Sequence, residues 1–127
     1  MLKNNFYFVR DLSNSDGKIS ARIIFSVEHD IFKGHFPGQP VVPGVCMIQI
    51  VKEIMCECME QKLNMIKASQ IKFLSMIDPR QTPEVSLFIS WKQAEEELLV
   101  DANLKNESTV FFKMKAIFRQ EAAGSRQ

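Results

Sequence analysis

A chain of 127 residues, 46% hydrophobic, 24% charged and carrying a formal net charge of +1, fits one soluble globular domain with an ordinary core and leaves no room for a second. Its sixteen basic residues are scattered among fifteen acidic ones, so the basic stripe that nucleic acid requires is missing. The longest apolar region, residues 41–59, is broken by Pro43, Gly44, Gln49, Lys52, Glu53 and Glu57. It therefore falls short of the roughly 18 uninterrupted apolar residues of a membrane span. The opening MLKNNFYFVRDLS has no long apolar core followed by small residues, which argues against a secretory signal and for the cytoplasm.

Residues 6–12 and 18–27 read as strands joined through the turn signal Asn14-Ser15-Asp16-Gly17, a hairpin pattern. The connection 28–42 is expected to be irregular. Pro43 and Gly44 then open a helix, with Pro at a position that needs no donor. It is expected to run about 20 residues, about 30 Å, to near Leu63 with Asn64 as cap. Val45, Ile48, Ile50, Val51, Ile54, Met55, Cys58 and Met59 occupy more than one of its faces, so most sides should be covered. Cys46, Cys56 and Cys58 share this helix and read as reduced thiols. Strand periods follow at 67–77, 84–93, 98–106 and 108–120, with breaks at Asp78-Pro79, 94–97 and Asn106-Glu107. Four strands in a row predict an antiparallel meander. The sum is an α+β domain over residues 1–120, an antiparallel sheet curled around one long helix. Residues 121–127 lack any apolar pattern and are expected to fray.

The stretch from His35 to Gln49, HFPGQPVVPGVCMIQ, is where this sequence speaks of chemistry. The free N–H groups at a helix start point outward from a positive end, which suits a carbonyl oxygen that becomes negative during a reaction. An imidazole, His35, lies on the segment leading in. The stretch resembles the active-site segment of the 3-hydroxyacyl-acyl-carrier-protein dehydratases of the FabZ type, in which H-F-P-G-x-P-V-x-P-G-V precedes a glutamate in the helix. Every fixed letter stands here from His35 to Val45; the glutamate position holds Gln49. Downstream, Lys72-Phe73 and Pro79 match a second family motif, whereas Met76, Arg80 and Gln81 depart from it. The resemblance implies the hot-dog fold and a homodimer, with a trimer of dimers by analogy. It also implies acyl carrier protein as the carrier of the substrate, and no metal or redox cofactor.

On that resemblance His35 handles the carbon-bound proton, and the N–H groups around Gly44 and Val45 receive the thioester oxygen. The second subunit contributes the side chain at position 49. A carboxamide cannot give or take a proton near neutral pH, so Gln49 is expected to hold the leaving hydroxyl while His35 serves as both base and acid. Glu53, one turn further on, stands where the family carries glutamine. It is either a relocated acid or a partner of Lys52 or Lys62. Phe36, Val42, Ile48, Phe73 and Phe88 are candidates for an acyl tunnel or for core, and Lys33, Lys62, Lys67, Lys72 and Arg80 for a basic rim. His29 lacks such a context. The expected activity is dehydration of a (3R)-hydroxyacyl thioester in acyl chain synthesis. A non-catalytic acyl-thioester-binding subunit and a hot-dog thioesterase are the rivals.

Overall fold

In the computed structural model, residues 1–34 and 38–121 are described; His35, Phe36 and Pro37 and the tail 122–127 lie outside them. The elements are β1 (Tyr7–Ser15), β2 (Lys18–Phe25), α1 (Asp30–Gly34), α2 (Gly44–Met59), β3 (Leu63–Phe73), β4 (Glu84–Ala94), β5 (Glu97–Lys105) and β6 (Val110–Gln120). The six strands make one sheet in the order β1-β2-β4-β5-β6-β3, antiparallel throughout. With α2 packed against it this is the hot-dog architecture, an α+β fold.

The β1–β2 hairpin turns on Asp16 (φ 54°) and Gly17 (φ 76°), both left-handed, which matches the twist of the strands on either side. Here β1 continues past Leu12 to Ser15, because an irregularity between Arg10 and Ser13 lets the polar end of the strand stay paired. Alternation then selects the buried face. Ile19, Ala21, Ile23 and Phe25 of β2 point inward, as do Val85, Leu87 and Ile89 of β4 and Leu98, Val100, Ala102 and Leu104 of β5. From β6 come Phe112, Met114, Ala116 and Phe118. Against them α2 buries Cys46, Met47, Ile50, Val51, Ile54 and Met55. Each fully buried Ile or Met contributes roughly 1.5–3 kcal/mol.

Besides the longer β1, and a β3 that spans Leu63–Phe73 where the strand period suggests 67–77, three features depart from the sequence expectation. First, α2 is 16 residues long and stops at Met59, where Glu60 turns left-handed (φ 54°) and the Gln61 N–H bonds to the Cys56 carbonyl at 3.2 Å. Leu63 does not extend the helix; it is buried at the start of β3. Second, only β4, β5 and β6 form a meander. The strand after the helix pairs with β6 at the far edge, Leu63 opposite Gln120 and Phe73 opposite Phe112, so β3 keeps one side unpaired. Third, the connection after β2 contains the short helix α1. The N-H of Ile31 bonds to Nδ1 of His29 at 3.0 Å, and Phe32 stacks on the buried Phe6 ring at 5.0 Å. Among the described residues no helix is long and apolar enough to cross a membrane.

Candidate functional site

Pro43 is the N-cap of α2, extended at φ −64° and ψ 146°, and Gly44 is the first helical residue. The Pro43 carbonyl accepts from the Cys46 N–H at 3.0 Å and the Met47 N–H at 3.3 Å. Among the described residues the N–H groups of Gly44 and Val45 have no acceptor, and no side chain caps the helix. Two donors therefore stay open at the positive end of the helix dipole. The loop leading in is fixed by the Val42 N–H, which bonds to the carbonyl of buried Ile77 at 2.9 Å.

Above this helix start lies a cleft of about 490 Å³, walled by Val41, Val42, Pro43, Gly44 and Met47 on one side and by residues 73–76 on the other. That volume is within the range of small-molecule pockets. Phe73 sets its width. Its ring lies tilted against Phe112, centroids 5.4 Å apart, and approaches Gly44 so closely that a Cβ there would stand 2.7 Å from ring carbons. Glycine at position 44 leaves the space that this ring occupies. Phe73, Leu74 and Met76 are all more than half exposed, and Val45 is 74% exposed. Greasy walls meet the helix start at Gly44, the first of the two residues with an open amide. A hollow of about 600 Å³ at the other end of α2 is larger but lined mainly by polar groups, among them Gln93, Glu95, Glu96 and Arg119.

Gln49 is half-buried on α2, and its Nε2 donates to Oε2 of Glu53 at 2.9 Å. Glu53 is 4% exposed, the one buried charged residue among those described. It also accepts from the Leu2 N–H at 2.9 Å, the Lys3 N–H at 2.9 Å and the Tyr7 hydroxyl at 3.0 Å. Burial works against its ionisation, yet these four hydrogen bonds outweigh burial and hold the carboxyl below the ordinary glutamate range. Burial first, then the neighbouring Glu53 charge and hydrogen bond, push the Tyr7 phenol far up. Burial and Glu53 together also raise the Cys46 thiol. Lys3 pairs with Glu57 beside this cluster.

The structure thus gives Glu53 an anchoring role toward the N-terminal segment, a partnership with neither Lys52 nor Lys62. The sequence signal is faint, because the anchored groups Leu2, Lys3 and Tyr7 lie 46 to 51 positions away. Of the tunnel candidates, Val42 and Phe73 line the cleft. Ile48 is half-buried on α2, and Phe88 is on the opposite face of the sheet from the core, under the Lys105 ammonium at 5.1 Å. Among the rim candidates Lys33 lies 3.7 Å from Asp30 and Arg80 3.1 Å from Asp78, whereas Lys67 and Lys72 belong to β3. His29 packs edge-on against Phe6 at 5.4 Å and caps α1. His35 and Phe36 lie outside the described residues.

Residues 11–115 match a family model described as ApeI-like, ApeI dehydratase. Two curated relatives are 3-hydroxyacyl-[acyl-carrier-protein] dehydratases FabZ. The one from Janthinobacterium sp. is 29% identical over 119 residues, 91% of this chain and 68% of its own length. The other, from Rhizorhabdus wittichii, is 25% identical over 63 residues, half of this chain and 40% of its own length. Among solved structures, a chain of the dehydratase heterocomplex ApeI:P from Xenorhabdus doucetiae superposes with a TM-score of 0.73 at 19% identity, covering 90% of this chain and 98% of that one. A protein from Lactococcus lactis, provisionally called a thioesterase, superposes with a TM-score of 0.68 at 11% identity, covering 91% and 93%. At such identities the last two speak for the fold alone.

Proposed function

We propose, because the chain belongs to the ApeI-like dehydratase family, that it binds a (3R)-hydroxyacyl thioester on acyl carrier protein and eliminates water to give the trans-2-enoyl thioester. The observation that carries this reading is the helix start at Gly44, whose open amide, followed by that of Val45, stands where Gly44 lines an apolar cleft. The thioester oxygen accepts from those amides and the acyl chain lies along Val42, Met47 and Phe73. His35, nine residues before Gly44, removes the C2 proton while charge gathers on the thioester oxygen. The enolate then re-forms its carbonyl, a C2–C3 double bond forms, and the C3–O bond breaks. The proton taken by His35 goes to the departing oxygen, so substrate yields enoyl thioester plus one water.

Gln49 holds the departing hydroxyl, in this proposal from the α2 of a second copy. A homodimer is supported by the unpaired edge of β3 and the exposed apolar residues around the start of α2. Glu53 serves as an anchor in this scheme, since a buried carboxylate with four donors has no proton to offer. A second reading, a non-catalytic acyl-thioester-binding subunit, is favoured by the carboxamide at position 49.

Hydration of a crotonyl thioester by the purified protein tests both. Turnover that disappears in His35→Ala supports the dehydratase. Binding of the thioester without turnover, in the parent and in Gln49→Glu alike, supports the binding subunit instead.

A further inference from the structure

We infer that Glu53 is a positioning residue that fixes the Gln49 carboxamide with its carbonyl oxygen free for a ligand, so that the site selects thioesters whose 3-substituent donates a hydrogen bond over those whose 3-substituent only accepts. The inference rests on the thioester reading above. Its physical basis is the 2.9 Å contact between Gln49 Nε2 and Glu53 Oε2. A carboxylate has no donor, so only the nitrogen end of the carboxamide can face it. Turning the amide over would lose a charge-assisted hydrogen bond and press two oxygens together.

Glu53 cannot turn away to relieve this. The Leu2 N–H, the Lys3 N–H and the Tyr7 hydroxyl hold its two oxygens at 2.9, 2.9 and 3.0 Å. The Gln49 carbonyl oxygen, by contrast, has no donor among the described residues and is not a sealed-off buried atom. It also belongs to the open side of α2, four residues after Val45, whose side chain is 74% exposed. What the site presents at this position is therefore an acceptor of fixed direction. A 3-hydroxyl can donate to it; a 3-oxo group meets it lone pair against lone pair.

Binding of (3R)-3-hydroxybutyryl-pantetheine and 3-oxobutyryl-pantetheine is compared by calorimetry in a His35→Ala background, where elimination is blocked. The hydroxy thioester is expected to bind roughly ten- to a hundredfold tighter, the range of one hydrogen bond made against one opposed. Adding Glu53→Gln allows the amide at position 49 to turn over, and the preference should shrink to within about threefold. Tyr7→Phe removes a bond from Glu53 but leaves the one to Gln49, so the preference should persist. Equal weakening of both ligands by Glu53→Gln, with the ratio kept, would show a merely structural role and overturn the inference.

If the Glu53→Gln protein does not fold, the parent decides. A Gln49 side-chain NH2 pair with one downfield, slowly exchanging proton supports the fixed amide, and two solvent-like protons overturn it. Equal binding of both thioesters overturns the selectivity while leaving the thioester reading intact. Binding of neither sinks that reading and the inference together.

Discussion

Gln49→Glu places a carboxyl group where the Gln49 amide now donates to Glu53 at 2.9 Å. Glu53 is already held ionised by two backbone amides and a phenol, so the introduced group must take the proton. With charge centres about 4 Å apart and an effective dielectric constant of about 20, repulsion between two carboxylates amounts to about 4 kcal/mol, or about 3 pK units. Position 49 is only half-buried, and solvent screening reduces this to about 1–2 units. The proton belongs to the pair, and the apparent titration should fall at about pH 5.3–6.3. A carboxyl still partly protonated near pH 6 is a general acid, so hydration of crotonyl-pantetheine should rise by about 10²- to 10⁴-fold and fall off above that titration. Stability should fall with rising pH as well. The native state then binds more protons than the unfolded one between about pH 4.3 and the raised value, so stability declines with rising pH there. Carbon-13 titration of the introduced carboxyl and urea unfolding across pH check both limbs. A carboxyl titrating at or below the ordinary glutamate value would refute the reasoning, since Glu53 would then not be an ionised neighbour.

In the parent protein the lowered Glu53 carboxyl gives the reverse dependence: its contribution is fully present above about pH 4.5 and is lost as pH falls through the lowered value. Glu53→Gln should flatten this acid limb in urea unfolding while costing about 1–3 kcal/mol at neutral pH, the cost of leaving buried donors poorly satisfied; an unchanged limb would contradict the role given to Glu53. Gly44→Ala brings a Cβ to 2.7 Å from the Phe73 ring. Because that ring is half exposed and can swing, the loss in thermal unfolding should be about 1 kcal/mol, at the low end for overpacking. Thioester affinity should fall as well, and Phe73→Ala in the same chain should restore part of it; no coupling between the two would separate Phe73 from the cleft wall.

The run HFPGQPVVPGV and the apolar helix behind it were legible without coordinates, because turn residues and helix starts act through their immediate neighbours. The hairpin at Asp16-Gly17 and the alternation in β4, β5 and β6 were legible for the same local reason. What periodicity could not carry was partnership. A strand pattern at β3 does not reveal whether the partner is β4 or β6, since pairing is decided by where α2 delivers the chain. Nor does a helix pattern reveal that Leu63 leaves the helix to start a strand.

The site divides along the same line. Residue types alone determined that an imidazole precedes a Pro-Gly helix start and that position 49 holds no acid. Only the tertiary structure decided that Phe73 roofs Gly44 and that Glu53 turns inward to clasp Leu2, Lys3 and Tyr7. The physical reason is range: caps, turns and alternation act over a few residues, whereas the direction of the Gln49 amide depends on a charge whose other partners join from the far end of the chain.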